Sequence, residues 1–440
     1  MNERDFASAP ILKLFFRCTV PAMVGMGFSA IYNITDGIFV GHFIGQEALA
    51  AVNLVMPIIM IITALADMVA AGSSVRISIL LGRERQEEEA GRVFTVCLKL
   101  ILGLSVFFTL AGYFLAGPLI RLMGADGLTA EYAVQYLRVF ALFMAPCCLY
   151  FSTDNYLRVC GKVKLSMTIN IVCSVLNIIL DALLIVWLKQ GLWAAALASS
   201  LSMTVGAVWS LVPFVRKKLP LVLTKGKIAL KQMAIILTNG SSEFFTSMAG
   251  SLLAVIINVI LLRLGGATAV AAVAIVEYVQ SLTGMLIYSA SDALQPAISY
   301  CFGAGLYKRM KDMQKTVMAA AAILSLLAMV FLLTGGRLIL PLFIKDGDAA
   351  LFDMSWRAMR FFALSYLVSW IEMTLSGYLT ALEKPLQSLL LSLLGTLIFP
   401  LLFLAILVPI LGLDGVWLMS AVAGTFSAIA AIIIVKKVQI

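Results

Sequence analysis

Apolar runs long enough to cross a bilayer follow one another along almost the whole chain, separated by short polar breaks. A hydrocarbon core about 30 Å thick needs roughly 20 predominantly apolar residues per helix. Such runs fall at 14–40, 48–74, 93–120, 130–156, 163–187, 191–214, 231–260, 269–300, 316–341, 352–377, 386–409 and 413–434. With no water in that core to satisfy backbone N–H and C=O groups, each run must be a helix, or a helix broken only where protein or a cavity covers the break. Composition agrees: 62% of residues are hydrophobic and 12% charged, against about a quarter charged in soluble domains. The expectation is an all-α integral membrane protein of twelve transmembrane helices.

The connections between runs sort by charge. The N-terminus, "GRERQEEEAGR", "RVCGKVK", "RKKLPLVLTKGK" extended to Lys231, "YKRMKDMQK", "EK" and the final "KK" carry 22 of the 32 lysines and arginines. The alternate connections carry Arg121, Lys189, Arg263, Arg337 and Lys345. Because basic loops stay in the cytoplasm, both termini are expected there, which also requires an even number of spans. The formal net charge of +9 is therefore a topological signal, and no nucleic-acid partner is expected.

The two halves repeat. Adding 221 to the numbering places Gly45 on Gly266, Ala50-Ala51-Val52 on Ala271-Ala272-Val273, Ser78 on Ser299 and Gly82 on Gly303. Small further offsets place Lys162 on Lys384 and Gly191 on Gly415. A repeat of this length predicts two six-helix lobes, residues 1–214 and 231–440, joined by a cytoplasmic basic linker at 215–230. Six is even, so both lobes enter the membrane in the same orientation, related by a pseudo-two-fold axis along its normal, as in some secondary transporters. The seven cysteines are scattered through apolar segments without metal-ligand spacing, and read as small core residues. The single histidine, His42, reads as a surface residue. No Walker motif and no convergent catalytic set occurs, so no cofactor or enzymatic activity is expected and secondary transport is favoured over ATP-driven pumping.

Polar residues inside the spans then carry the functional reading. These are Asp36, Asn177, Asp181, Ser199, Glu243, Glu277, Asp292 and Glu372. An ionisable group in a span costs about 2.5–3.5 kcal/mol even on lenient insertion scales, so it faces a cavity or a partner. Counted from the ends of their runs, Asp36, Asp181 and Ser199 lie at a similar depth, roughly 8–12 Å at 1.5 Å per residue. Asn177 and Asp181 are four apart and share a helix face. Two carboxylates in low dielectric need a shared proton or a cation such as Na+ between them; a purely structural hydrogen-bond network is the alternative. The repeat does not copy this set: Asp36 corresponds to Ile257 and Asp181 to Phe403. In the second half, Glu243 is the candidate cavity acid for cationic substrate, with Glu277 and Glu372 serving similarly; pairing with a neighbouring helix is the alternative for Glu243. Pro21, in the same run as Asp36, removes a backbone donor and is the candidate hinge, with Pro57, Pro146, Pro296 and Pro400 also in spans. The 25 phenylalanines and 21 methionines suit lipid contact and soft packing around apolar cations.

The stretches "DGIFVGHFIGQEALAAVN", "LGRERQEEEAGRVF", "NIILDALLI" with "GLWAAALASS", and "SASDALQPAISYCFGAG" together resemble the multidrug and toxic compound extrusion family over essentially the whole chain. The resemblance is to its bacterial staphylococcal and DNA-damage-inducible-like branch. It implies two six-helix bundles around a V-shaped cavity, functioning as a monomer among the lipids of a bacterial cytoplasmic membrane. It further implies alternating-access export of small amphiphilic organic cations, drugs or metabolites in exchange for Na+ or H+. The family's acid site falls on Asp36, Asn177, Asp181 and Ser199, the last often threonine in relatives; its kinking proline falls on Pro21, and its second-half acid on Glu243. The related lipid-precursor flippases share the architecture, and a basic cavity for anionic cargo would favour that alternative.

Overall fold

The computed structural model describes residues 3–344 and 348–438. Lys345, one of the five basic residues assigned to the weakly charged side, lies outside them. The principal helices are α1 (Ile11–Phe39), α2 (Gln46–Gly82), α3 (Glu87–Phe114), α4 (Gly127–Leu142), α5 (Met144–Val159), α6 (Val163–Asp181) and α7 (Trp193–Val215). A continuous stretch, Leu230–Asp292, is two helices meeting at the non-helical Gly266, here α8 (230–265) and α9 (267–292). The chain continues with α10 (Gln295–Gly303), α11 (Tyr307–Ile339), α12 (Ala349–Ala363), α13 (Ser369–Ala381), α14 (Pro385–Leu393), α15 (Phe399–Leu411) and α16 (Leu413–Lys437).

Among the described residues nine stretches are long and apolar enough to cross a membrane, and α4 with α5, bent by 61°, forms a tenth. Dividing α8 from α9 at Gly266 and joining α12 to α13 as one broken span yields the expected twelve. The break between α4 and α5 has a local cause. Pro146 lies in the first turn of α5, where a missing N–H costs nothing, and the chain restarts there rather than continuing. Pro296 and Pro400 likewise open α10 and α15. Pro21 and Pro57 instead lie inside α1 and α2, which run through them.

The chain divides into two compact units, one of Met1–Ala9 with Phe16–Gly240 and the other of Pro10–Phe15 with Ser241–Ile440. Large apolar side chains such as Phe107, Val255, Leu327 and Ile429 stand exposed, while Asp36, Asn177, Asp181 and Ser199 are buried. This inversion of the soluble pattern is what a lipid solvent dictates. Lipid is as apolar as leucine, so the helices are held by close packing and interhelical hydrogen bonds.

In the first unit a Cβ on Gly72 of α2 would lie 2.0 Å from the carbonyl oxygen of Ile236, and one on Gly240 would lie 1.8 Å from that of Met68. The two backbones touch, and only glycine fits either position. Phe94 packs edge-on against Tyr156 and stacks on Phe214, while the Tyr156 hydroxyl bonds Ser73 Oγ at 2.8 Å. The basic linker is docked along α3. Leu219 and Leu221 are buried, the Thr224 N–H donates to Thr95 Oγ1 at 2.9 Å, and Gly91 leaves room for the Val222 carbonyl. The second unit centres on buried Ile275, Val276, Ala358, Met359, Tyr366 and Trp417, with a hydroxyl cluster tying Ser376 to Ser392 at 2.8 Å and Thr380 to Ser388 at 2.7 Å.

Candidate functional site: a buried acid pair and an acidic cavity

Asp36 lies one turn before the end of α1, where the helix widens into a π-helical turn, Val40–Ile44. Asp181 is the last residue of α6 and is followed by a second π-helical turn, Ala182–Trp187. The two wide turns contact one another. Such turns shift the register of the helix face and are frequent at functional sites; here one begins a turn after Asp36 and the other directly after Asp181.

The structure brings together all four residues expected from the first half. Asp181 and Asn177 are fully buried, and Ser199 and Asp36 nearly so. With the Asn177 amide oriented to satisfy its neighbours, its nitrogen donates to Asp181 Oδ2 at 3.2 Å. Its oxygen then accepts from the backbone N–H of Ser199 at 3.3 Å and from Ser199 Oγ at 3.0 Å. The carboxyls of Asp36 and Asp181 are within hydrogen-bonding reach of each other. A carboxyl–carboxyl contact requires a proton on one partner, or a cation between two anions. The Oδ1 atoms of both residues are buried without a hydrogen-bond partner. The unpartnered carboxyl oxygens are hard donors of the kind Na+ takes, and the same pair can share a proton; Asn177 and Ser199 hold Asp181 in place beside them. Among the described residues no cluster of three or more His, Cys, Asp or Glu is present to hold a metal.

The second unit holds a cavity of about 410 Å³ within its own helices. Glu277 of α9 and Glu372 of α13 line it, with Phe362, Tyr366, Met373 and Trp417, and no lysine or arginine is among the lining residues. A Cβ on Gly395, in the π-helical turn Leu394–Ile398, would lie 3.0 Å from the Glu372 carboxyl carbon. The missing side chain therefore makes room for the acid. Tyr366 is fixed by a hydroxyl–hydroxyl bond to Thr283. Glu243 of α8 is not among the lining residues, but lies close enough to Glu372 for their charges to interact. A pocket of this size with aromatic walls and a few directed polar groups is the ordinary form of a small-molecule site. Carboxyl groups and aromatic ring faces are both groups that attract positive charge. His42 is exposed and meets the edge of Phe43, and Pro21 lies within α1 as the sequence places it.

Sequence reading missed two features. Tyr136 of α4 is buried within electrostatic range of Asp36 and Asp181; a tyrosine in an apolar run carries no distinguishing mark. The second is a polar face on α6, where Ser166, Asn170 and Ser174 precede Asn177 and Asp181 at three- and four-residue spacing. That periodicity was there to be counted.

Duplicated bundles of membrane-spanning helices, with a buried carboxyl pair in one unit and an acidic cavity in the other, define a polytopic membrane transporter rather than an enzyme. The chain belongs to the MatE family, whose model matches it twice, at residues 21–183 and 244–406. It is 26% identical over 434 residues to the multidrug export protein MepA of Staphylococcus saprophyticus, covering 98% of this chain and 94% of the relative. To MepA of Staphylococcus aureus it is 27% identical over 436 residues with the same coverage. Among solved structures, a MATE protein in complex with MaL6 superposes with a TM-score of 0.90 at 26% identity, covering 98% of this chain and 96% of the other. An outward-facing multidrug resistance MATE family transporter superposes with a TM-score of 0.90 at 25% identity and the same coverage.

Proposed function

We propose that this protein is a secondary active antiporter that exports small amphiphilic organic cations, drugs or metabolites, from a bacterial cell by alternating access. Entry of Na+ or H+ drives the export. The observation that carries the reading is the buried contact between Asp36 and Asp181, braced by Asn177, which donates to Asp181 and is itself held by Ser199, with two carboxyl oxygens left without hydrogen-bond partners. Such a pair is unstable as two bare anions. It therefore takes up a cation from the side where that ion is abundant and releases it when the surroundings change. Glu277, Glu372 and the nearby Glu243 supply the negative field for cationic cargo. Their cavity, without lysine or arginine, favours this reading over a flippase for anionic lipid-linked cargo. The basic connections support an orientation with both termini in the cytoplasm, and the exposed apolar helix faces suit a monomer surrounded by lipid.

The test is efflux of a fluorescent organic cation from proteoliposomes under separately imposed Na+ and pH gradients. Asp36→Asn and Asp181→Asn are expected to lower gradient-driven efflux at least tenfold, while the proteins still insert and bind cargo. Unchanged coupled efflux in both variants would remove the acid pair from the mechanism. Whichever gradient drives the unsubstituted protein names the coupling ion.

A further inference from the structure

The polar face of α6 does not stop at the acid pair. Ser166, Asn170, Ser174, Asn177 and Asp181 recur every three or four residues, so they line one side of the helix over about 22 Å. The two ends of this face are bonded to polar groups of other helices, while Ser174 between them bonds only within α6. Asp154 of α5 accepts from Ser166 Oγ and, through the same oxygen, from Asn170 Nδ2 at 3.3 Å. Tyr150 donates to Asn170 Oδ1, and Ser174 Oγ donates to the Asn170 carbonyl at 2.8 Å. Asn177 then connects to Asp181 and Ser199. The face thus carries a bonded cluster at each end, the Asp36–Asp181 pair with Asn177 at one and Asp154 with Ser166 and Asn170 at the other. The second lies toward the start of α6, where the sequence has Lys162 and Lys164.

Interhelical hydrogen bonding accounts for the serines and asparagines of this face. It does not account for Asp154. An asparagine there would accept from Ser166 and Asn170 equally well, without the cost of an ionisable group in a span. Among the described residues Asp154 forms no ion pair with lysine or arginine to offset that cost. Around it stand hydroxyls, an amide and Tyr150, with Arg158 one turn further along α5.

We propose that Asp154 is a second station for the coupling cation, and that the polar face of α6 is the route by which the ion passes from the Asp36–Asp181 pair toward the cytoplasmic end of the first unit. The carboxylate receives the cation released by the pair; the serines and asparagines carry it between them. This rests on the antiport reading and adds an internal exit to it.

The experiment compares two modes in the same proteoliposomes: efflux driven by an imposed Na+ or pH gradient, which requires net cation release, and cargo-for-cargo exchange, which does not. Asp154→Asn keeps both hydrogen bonds and removes the exchangeable charge. It is expected to slow gradient-driven efflux at least tenfold while leaving exchange within twofold, and Asp154→Glu is expected to restore most of the efflux. Asn170→Leu interrupts the route and is expected to show the same split, so it decides the matter if Asp154→Asn does not assemble. Gradient-driven efflux within twofold of the unsubstituted protein, or equal losses in both modes, overturns the route. If Asp36→Asn abolishes coupling while Asp154→Asn preserves it, only the route falls; if both preserve coupling, the antiport reading falls with it.

Discussion

At the scale of single residues, the acid pair was legible because its members break a rule. An aspartate inside an apolar run announces a cavity or a partner, and equal depth in separate spans identified which residues would meet. Ser199 is a subtler member. Its hydroxyl and backbone N–H face the Asn177 oxygen, holding the amide so that its nitrogen points at Asp181. Ser199→Ala removes one hydrogen bond worth about 0.5–1.5 kcal/mol, and the expected consequence is a roughly two- to tenfold weaker apparent affinity for the coupling cation. Ser199→Thr keeps the hydroxyl and is expected to keep the affinity. Titrating efflux against Na+ or H+ concentration checks both. Tyr136 shows the limit of such reading: it is buried within electrostatic range of the pair, but one more aromatic in a chain rich in them carries no mark.

Elements were read from length and periodicity, and their interruptions from single residues. Gly45 and Gly266, equivalent in the repeat, share an unusual backbone. Gly45 has φ 131°, ψ 179° and Gly266 φ 63°, ψ −158°. Both lie in the region open essentially to glycine alone. Each ends one span and starts the next, so the repeat preserves the turn along with the helices, and the matched glycines made it visible before any coordinates. What could not be read were the π-helical turns after Asp36 and Asp181. No residue type demands a wide turn, which arises from packing across the unit. Gly45→Ala and Gly266→Ala are each expected to destabilise the protein by about 1–3 kcal/mol. Gly27→Ala, where an added Cβ meets nothing within 4 Å, is expected to be neutral or mildly stabilising. Thermal unfolding in detergent, followed by intrinsic fluorescence, distinguishes the three.

At the scale of the whole molecule, the duplicated chain carries different buried acids in its two units. The first unit buries two carboxyls against an amide held by a serine, while the second opens a cavity of about 410 Å³ whose acids stand among aromatic walls. On the proposed antiport reading, the first arrangement would take the small coupling cation and the second the organic cargo. If the division is functional, charge removal in each unit must fail differently. Glu277→Gln and Glu372→Gln leave shape and hydrogen bonding nearly intact but remove the anions that face a cationic cargo. A charge-assisted contact contributes about 1.5–3 kcal/mol, so cationic cargo is expected to bind roughly 10- to 150-fold more weakly to these variants. A neutral compound of similar shape, held by Phe362, Tyr366 and Trp417 alone, is expected to lose little. The gradient dependence of whatever cargo is still transported should remain that of the unsubstituted protein, because Asp36 and Asp181 are untouched. Measuring cargo affinity by fluorescence and gradient dependence by efflux on the same preparations separates the two roles. Loss of the gradient dependence in Glu372→Gln would place coupling chemistry in both units and end the division.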